Sequence, residues 1–298
     1  MSKIITIIGA SGRVGSKTVQ HLSGKGYTLR LVARHAEKLD QFKNTPGVEI
    51  HTGSAKDADF LTSVMKGSDV VFTMTPADFS IADVPKHQDE LGLATITAIR
   101  NSGVKKVLNL SSVGGHTEEK TGIVAGLARQ EQRLNALEGV DVLHLRPSYF
   151  MENMLANIGM IKGMNINGSA IVADRAFPII ATADIARAAA EKLESAAWTG
   201  KSVLPLLGPK DYTMNEVTAA LANAIGQPNL PYIAFPYDQA REGMRQAGLN
   251  DSFVEGYIGL SEGINEGVFN TEKRDTSSTT PTTIEDFAST IFKSAYQS

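Results

Sequence analysis

The stretch Ile4-Ile5-Thr6-Ile7-Ile8-Gly9-Ala10-Ser11-Gly12-Arg13-Val14-Gly15 decides the fold of this 298-residue chain. Its first five residues are an apolar, β-branched run, the composition of a strand buried on both faces. Glycines follow at the spacing G-x-x-G-x-x-G, and beyond them Val14, Thr18, Val19 and Leu22 recur at helical spacing. A strand, a glycine turn and a helix in that order make a phosphate cradle, because a helix N-terminus offers free N–H groups and a partial positive charge. Gly9 permits the tight turn, Gly12 lets the backbone approach a pyrophosphate, and Gly15 lets the helix close on the strand. Ser11, Arg13 and Val14, between these glycines, complete the expected pyrophosphate side. The flanking strand and helix supply the context that the motif requires.

Outward from this cradle the chain alternates strands and helices. Thr28–Ala33, Val48–Thr52, Asp69–Thr73, Lys106–Ser111 and Asp141–Arg146 read as strands, and long helices are expected from Asp83 to Asn101 and from Ile123 to Leu137. That rhythm predicts an α/β fold, a doubly wound parallel sheet of Rossmann type over residues 1–150, with the ligand crevice at the strand C-termini. After Pro147 the rhythm changes. Tyr149 to Ile161 reads as helical and Asn165 to Phe177 as hairpin-like. A helix Ile185–Leu193, a strand Ser202–Leu207 and a strand Tyr232–Phe235 follow. Thr213 and Glu216 have capping-box spacing before the helix Val217–Ile225, and Thr282-Thr283-Ile284-Glu285 is expected to cap the last helix. Residues 151–298 thus read as a smaller substrate lobe, with some segments returning to the first domain.

Hydrophobic residues make up 42% and charged residues 20%, the balance of an ordinary soluble domain. A net charge of -3 leaves no basic excess to neutralise nucleic-acid phosphates. No cysteine is present, which removes disulfides, thiolate metal sites and Cys nucleophiles. The six histidines show no His-x-x-x-His spacing, so no metal is expected. The first strand starts at Lys3, leaving no room for a signal peptide, and no apolar run approaches the roughly 20 residues of a membrane span. A cytoplasmic location without membrane attachment is the expectation. A homo-oligomer could form through the two long helices.

Arg34 ends the second strand, where a dinucleotide fold meets the adenosine ribose. An acidic residue there would bind the 2′-hydroxyl; Arg34, with Lys38 one turn later and Arg13 in the glycine loop, instead suits the 2′-phosphate of NADP. Thr75 and Pro76, at the end of the fourth strand, should border the ribose and nicotinamide, as should Pro147. Ser111 and Ser112 end the fifth strand, and His116 lies in the loop beyond. Tyr149, Phe150, Asn153 and Met154 offer the mixture of apolar walls and polar groups found in small-molecule sites. His144 lies inside a strand and reads as structural, while Asp57, Asp69 and Asp184 read as caps.

The Gly9–Gly15 loop, Arg34, Ser111-Ser112, Leu145-Arg146-Pro147-Ser148-Tyr149-Phe150-Met151-Glu152-Asn153 and Pro178-Ile179-Ile180-Ala181-Thr182-Ala183-Asp184-Ile185-Ala186 together resemble the NmrA-like branch of the atypical short-chain dehydrogenase/reductase superfamily. Over nearly the whole chain the resemblance implies a Rossmann fold and a bound NADP(H), in a branch that includes NAD(P)H:quinone reductase-like and azoreductase-like enzymes. Typical members of the superfamily carry Tyr-x-x-x-Lys on the helix after the fifth strand. Here Ala125-Gly126-Leu127-Ala128-Arg129 stands in that place.

The missing tyrosine narrows the chemistry. Hydride transfer to a simple ketone makes an alkoxide, which needs an acid partner. Transfer to a quinone makes a phenolate-like anion whose conjugate acid has a pKa of roughly 10, which needs far less help. The expected function is therefore NADPH-dependent reduction of a quinone-like or other conjugated small-molecule acceptor of azo, enone or imine type. His116, Tyr149 or water would give the proton. The alternative is a non-catalytic, NADP(H)-sensing regulatory protein.

Overall fold

The computed structural model describes residues 2–75 and 80–298. Pro76 lies outside the described residues. The first half alternates as expected: β1 (Ile4–Ile8), α1 (Arg13–Leu22), β2 (Thr28–Ala33), β3 (Val48–Thr52), α2 (Ala58–Met65), β4 (Val70–Met74), α3 (Val84–Ser102), β5 (Lys106–Leu110), α4 (Ala125–Asn135) and β6 (Asp141–Pro147). There follow β7 (Tyr149–Phe150), α5 (Ile158–Met164), β8 (Asn167–Ser169), β9 (Phe177–Ile180), α6 (Thr182–Ser195), β10 (Lys201–Leu206) and β11 (Asp211–Tyr212). The remaining elements are α7 (Met214–Ile225), β12 (Tyr232–Ala234), α8 (Tyr237–Gln246), α9 (Asp251–Glu266), and α10 (Ile284–Phe287) running through a π turn into α11 (Lys293–Gln297).

Seven strands form one parallel sheet in the order β10-β6-β5-β4-β1-β2-β3. Its central strands are apolar on both faces because both are covered. On one side Val14, Val19 and Leu22 of α1 and Ile185, Ala189 and Leu193 of α6 pack on Ile5, Ile7 and Phe72. On the other, Leu61 and Met65 of α2, Ala98 and Ile99 of α3 and Leu134 of α4 pack on Ile8, Val71 and Val107. Each of the larger of these side chains, fully buried, contributes about 1.5–3 kcal/mol. That gain fixes the alternation of apolar strands with amphipathic helices. Asp57 and Asp83 cap α2 and α3 with their side chains, while Asp69 accepts from the Ile4 amide at 2.7 Å and caps the start of β1.

The second half builds its own core around Met151, Met154, Phe177, Tyr212, Val217, Leu221 and Phe287. A three-stranded sheet β11-β9-β7 and a pair β12-β8 lie within it. Residues 165–177 do not form a hairpin: β8 pairs in parallel with the distant β12, and Asn165 ends α5 in a left-handed conformation at φ 54°. Residues 149–161 hold the short strand β7 and a 3₁₀ turn, Met151–Asn157, before α5 begins. The capping box of the last helix is Thr283 with Asp286, one residue later than expected, because Thr282 is drawn to the buried Asp184. Asp184 is accordingly a tie between α6 and this segment. Two elements return to the first half: α6 packs on α1, and β10 pairs with β6 as the sheet's edge.

Candidate functional site

The cradle at β1–α1 is built as its glycines require. Gly9 adopts φ 74°, and a Cβ there would strike the Met74 sulfur at 2.4 Å, so the end of β4 lies against the turn. A Cβ on Gly15 would stand 2.2 Å from the Gly9 carbonyl oxygen, which fixes the close approach of α1 to the strand. Gly12 is the N-cap; it has no side chain to bond the first amides of α1, and no acidic residue occupies the first turn. The amides of Arg13, Val14 and Gly15 therefore face the crevice with the helix's positive end, a fit for a pyrophosphate. Ser11 and Gly12 flank this opening and are half-buried.

Arg34 and Lys38 lie beyond the end of β2, exposed, Lys38 within the 3₁₀ segment Ala36–Phe42. Arg13 does not join them. Its guanidinium Nη1 donates instead to the Glu152 carbonyl at 3.3 Å. Behind Arg13 lies a cluster that sequence reasoning missed. Glu152, only 4% exposed, accepts from the Thr182 amide at 3.1 and 3.0 Å and from the Thr182 hydroxyl. Lys17 reaches both partners, at 3.4 and 2.7 Å. The cluster ties the first turns of α1 and α6 to the segment after β7. Its one trace in the sequence is Lys17 standing one turn after Arg13.

At the strand ends, half-buried Thr75 follows the Met74 that contacts Gly9. β5 and β6 stay paired up to the crevice, where the Val113 amide donates to the Pro147 carbonyl at 3.0 Å. Ser111 does not face the crevice freely: its hydroxyl donates to Glu131 of α4 at 2.5 Å. Glu131 is 3% exposed and takes a two-pronged contact from Arg146, at 2.9 and 2.7 Å, while Arg146 also donates to Glu272 at 2.9 Å. Below them a polar row crosses three strands in register. Thr73 donates to Asn109, Asn109 Nδ2 donates to His144 Nδ1, and His144 Nε2 donates to Asn135 of α4. His144 is structural, and burial pulls its imidazole down to about 4.

The helix after β5 carries no acid of the expected kind. Ala125 opens α4, and Arg129 is engaged by Asp89 at 2.9 Å and Glu118 at 3.1 Å. Burial works against the Asp89 carboxylate, but hydrogen bonds from Arg129 and Arg133 outweigh it and hold its carboxyl below the usual range. His116 is exposed and has no hydrogen-bond partner among the described residues. Tyr149 is placed very differently. Its hydroxyl lies 2.9 Å from that of Tyr257 on α9, and its ring meets Phe177 edge-on. Burial, the largest influence, pushes the Tyr149 phenol well above its ordinary range, with the nearby Asn153 side chain working weakly the other way. Phe150 and Met154 lie in different cores: Phe150 packs against the sheet's core, and Met154 is buried in the core of the second half rather than walling a site.

Tyr257 is held there by a glycine face. A Cβ on Gly256 would strike Ile123, one on Gly259 would stand 3.1 Å from Gly122, and one on Gly263 would strike the Lys120 carbonyl at 2.0 Å. Helix α9 thus lies directly on residues 120–123, at the entry to α4. The spacing Gly256-x-x-Gly259-x-x-x-Gly263 was the only mark of this contact in the sequence.

Residues 9–196 match the family model described as NAD(P)H-binding. The chain is 27% identical over 252 residues to the NAD(P)H azoreductase of Xenophilus azovorans, covering 85% of this chain and 84% of that protein. Among solved structures it is similar to an NADPH-dependent quinone oxidoreductase from Escherichia coli complexed with NADPH, at 20% identity and a TM-score of 0.76, covering 97% and 99% of the two chains. It is also similar to the Citrobacter sp. triphenylmethane reductase complexed with NADP(H), at 15% identity and a TM-score of 0.79, covering 95% and 98%. With its glycine cradle, its parallel sheet and a family match over most of its length, the chain belongs to the NAD(P)H-binding family.

Proposed function

We propose that this protein is an NADPH-dependent reductase of quinone-like or other conjugated acceptors. The observation that carries the reading is α4: Ala125 stands in place of the tyrosine, and Arg129, in place of the lysine, is ion-paired with Asp89 and Glu118. A site without that strong acid arrangement suits acceptors whose reduced form is a weakly basic anion or a neutral molecule. The azoreductase, quinone oxidoreductase and dye reductase among its relatives support the same class.

The bound dinucleotide would supply the hydride. Gly9, Ser11, Gly12, Arg13, Val14 and Gly15 would hold its pyrophosphate, Arg34 and Lys38 its 2′-phosphate, and Thr75, Pro76 and Pro147 would border the nicotinamide. Tyr149, Phe150 and Asn153 would wall the acceptor, with Met154 supporting them from the core behind. The protein's contribution is then largely positioning, which shortens the search for a reactive geometry. Purified protein should oxidise NADPH in the presence of quinones or azo dyes and leave simple aliphatic ketones untouched. Efficient reduction of aliphatic ketones alone would refute the reading, and tight NADPH binding without turnover on any acceptor would favour a sensor.

A further inference from the structure

While α4 presents no phenol, two others meet just beyond the end of β6. Tyr149 follows β6 directly, and Tyr257 comes from α9, 108 residues later, yet their hydroxyl oxygens are 2.9 Å apart. We propose that this pair delivers the proton to the reduced acceptor, Tyr149 donating it and Tyr257 restoring it from behind. The proposal rests on the reductase reading above and names the acid which that reading lacks.

Both rings are fixed. Tyr149 meets Phe177 with centroids 5.7 Å apart and planes at 79°. Tyr257 lies beside Phe253 at 6.0 Å, on the helix locked down by Gly256, Gly259 and Gly263. A third phenol close by, Tyr232, is committed elsewhere: its hydroxyl donates to the Ile171 carbonyl at 2.7 Å and pairs with Ser169 at 2.7 Å. Two facing hydroxyls share one hydrogen bond, so one of the two O–H groups must point out of the pair. When Tyr257 donates to Tyr149, the uncommitted proton belongs to Tyr149, two residues beyond Pro147 at the end of β6.

Burial, the main cause, raises both phenols above their ordinary value; in the resting pair the hydrogen bond between them adds to the rise at Tyr149 and works against it at Tyr257, so both stay protonated at neutral pH. A lone phenol of this kind would be a reluctant acid. A neighbour that donates into its oxygen as the proton leaves offsets that reluctance, because the hydrogen bond becomes charge-assisted. The balance is complete. A bound dinucleotide would supply hydride to one end of the conjugated acceptor, which would leave the displaced electron pair on the oxygen or nitrogen at the other end. That atom forms a bond to the Tyr149 proton as the Tyr149 O–H bond breaks. The Tyr257 proton moves to Tyr149, and Tyr257 recovers one from water.

An acceptor that is already a cation becomes neutral on taking hydride and needs no proton, which supplies an internal control. Tyr149→Phe and Tyr257→Phe should each lower kcat for a para-quinone by about tenfold or more. A triarylmethyl cation dye should lose at least about fivefold less kcat than the quinone in both variants, and NADPH affinity should hold. Independently of turnover, para-nitrophenol, whose absorbance reports its ionisation, should bind the wild type and lose about fivefold or more of its affinity in each variant. Equal losses on quinone and dye, no loss on quinone, or unchanged para-nitrophenol binding would each overturn the relay. If the wild type takes quinones alone, the para-nitrophenol affinities decide. A wild type that binds NADPH and reduces neither acceptor overturns the reductase reading itself.

Discussion

Arg34 and Lys38 carry the proposed preference for NADP, and Arg13 has another task. The two cations beyond β2 are legible from the strand's end and the absence of an acid there. The turn of Arg13 towards the Glu152 carbonyl is not, because it depends on a carbonyl 139 residues away. Arg34→Ala should lower the ratio of NADPH to NADH affinity by about tenfold or more, the loss of one charge-assisted bond to phosphate. Fluorescence titration with both nucleotides checks this; an unchanged ratio would remove Arg34 from the site. His144 makes a second prediction. Asn109 offers its N–H to Nδ1, so the imidazole must stay neutral with its proton on Nε2. Its folded value of about 4 lies below the ordinary 6.5, so the unfolded chain takes up a proton first as pH falls. Stability present above about pH 6.5 is lost progressively towards about pH 4, to a total of about 3 kcal/mol. Urea unfolding at about pH 7 and about pH 4.5 should therefore show a larger loss for the wild type than for His144→Gln.

At the scale of elements, the first helix and the ninth make opposite cases. Helix α1 announces itself: strand, glycine spacing and amphipathic helix are all local patterns, and the structure reproduces them residue for residue. The partner of helix α9 is not announced in this way, because a glycine face is invisible to a search for apolar stripes. Both contacts are backbone against backbone, so both should be intolerant of a single methyl group. Gly15→Ala puts a Cβ 2.2 Å from the Gly9 carbonyl and should cost dinucleotide affinity along with about 1–3 kcal/mol of stability. Gly263→Ala meets the Lys120 carbonyl at 2.0 Å and should cost a similar amount of stability while leaving NADPH affinity within about twofold. Melting temperature and nucleotide titration, measured together, separate the two. Loss of nucleotide binding in Gly263→Ala would mean that α9 supports the cradle as well.

Across the whole molecule, what could be read from the sequence was the alternating half, and what could not was how the second half is fastened to it. Alternation, apolar runs and caps are written within a few residues of each other. The ties are written across the chain: Glu152 to Thr182 and Lys17, Arg146 to Glu131 and Glu272, Tyr149 to Tyr257. Nothing near Arg146 in sequence distinguishes it from a surface arginine, although it is the centre of a nearly buried ion triad. Arg146→Met should leave Glu131 buried without its counter-charge and cost about 3–5 kcal/mol, read as a lower urea midpoint. Arg146→Lys should rescue only part of it, since an ammonium cannot repeat the two-pronged contact. The edge strand β10 bears on how such a chain is made. Residues 201–206 border β6, so residues 151–200 of the second half must be made before the parallel sheet can gain its last strand. Until then the nascent chain shows a bare β6 edge, open to the wrong neighbour. The two halves are thus bound into one folding event, and a polypeptide ending near residue 150 would be an unfinished sheet, not a small dinucleotide-binding protein.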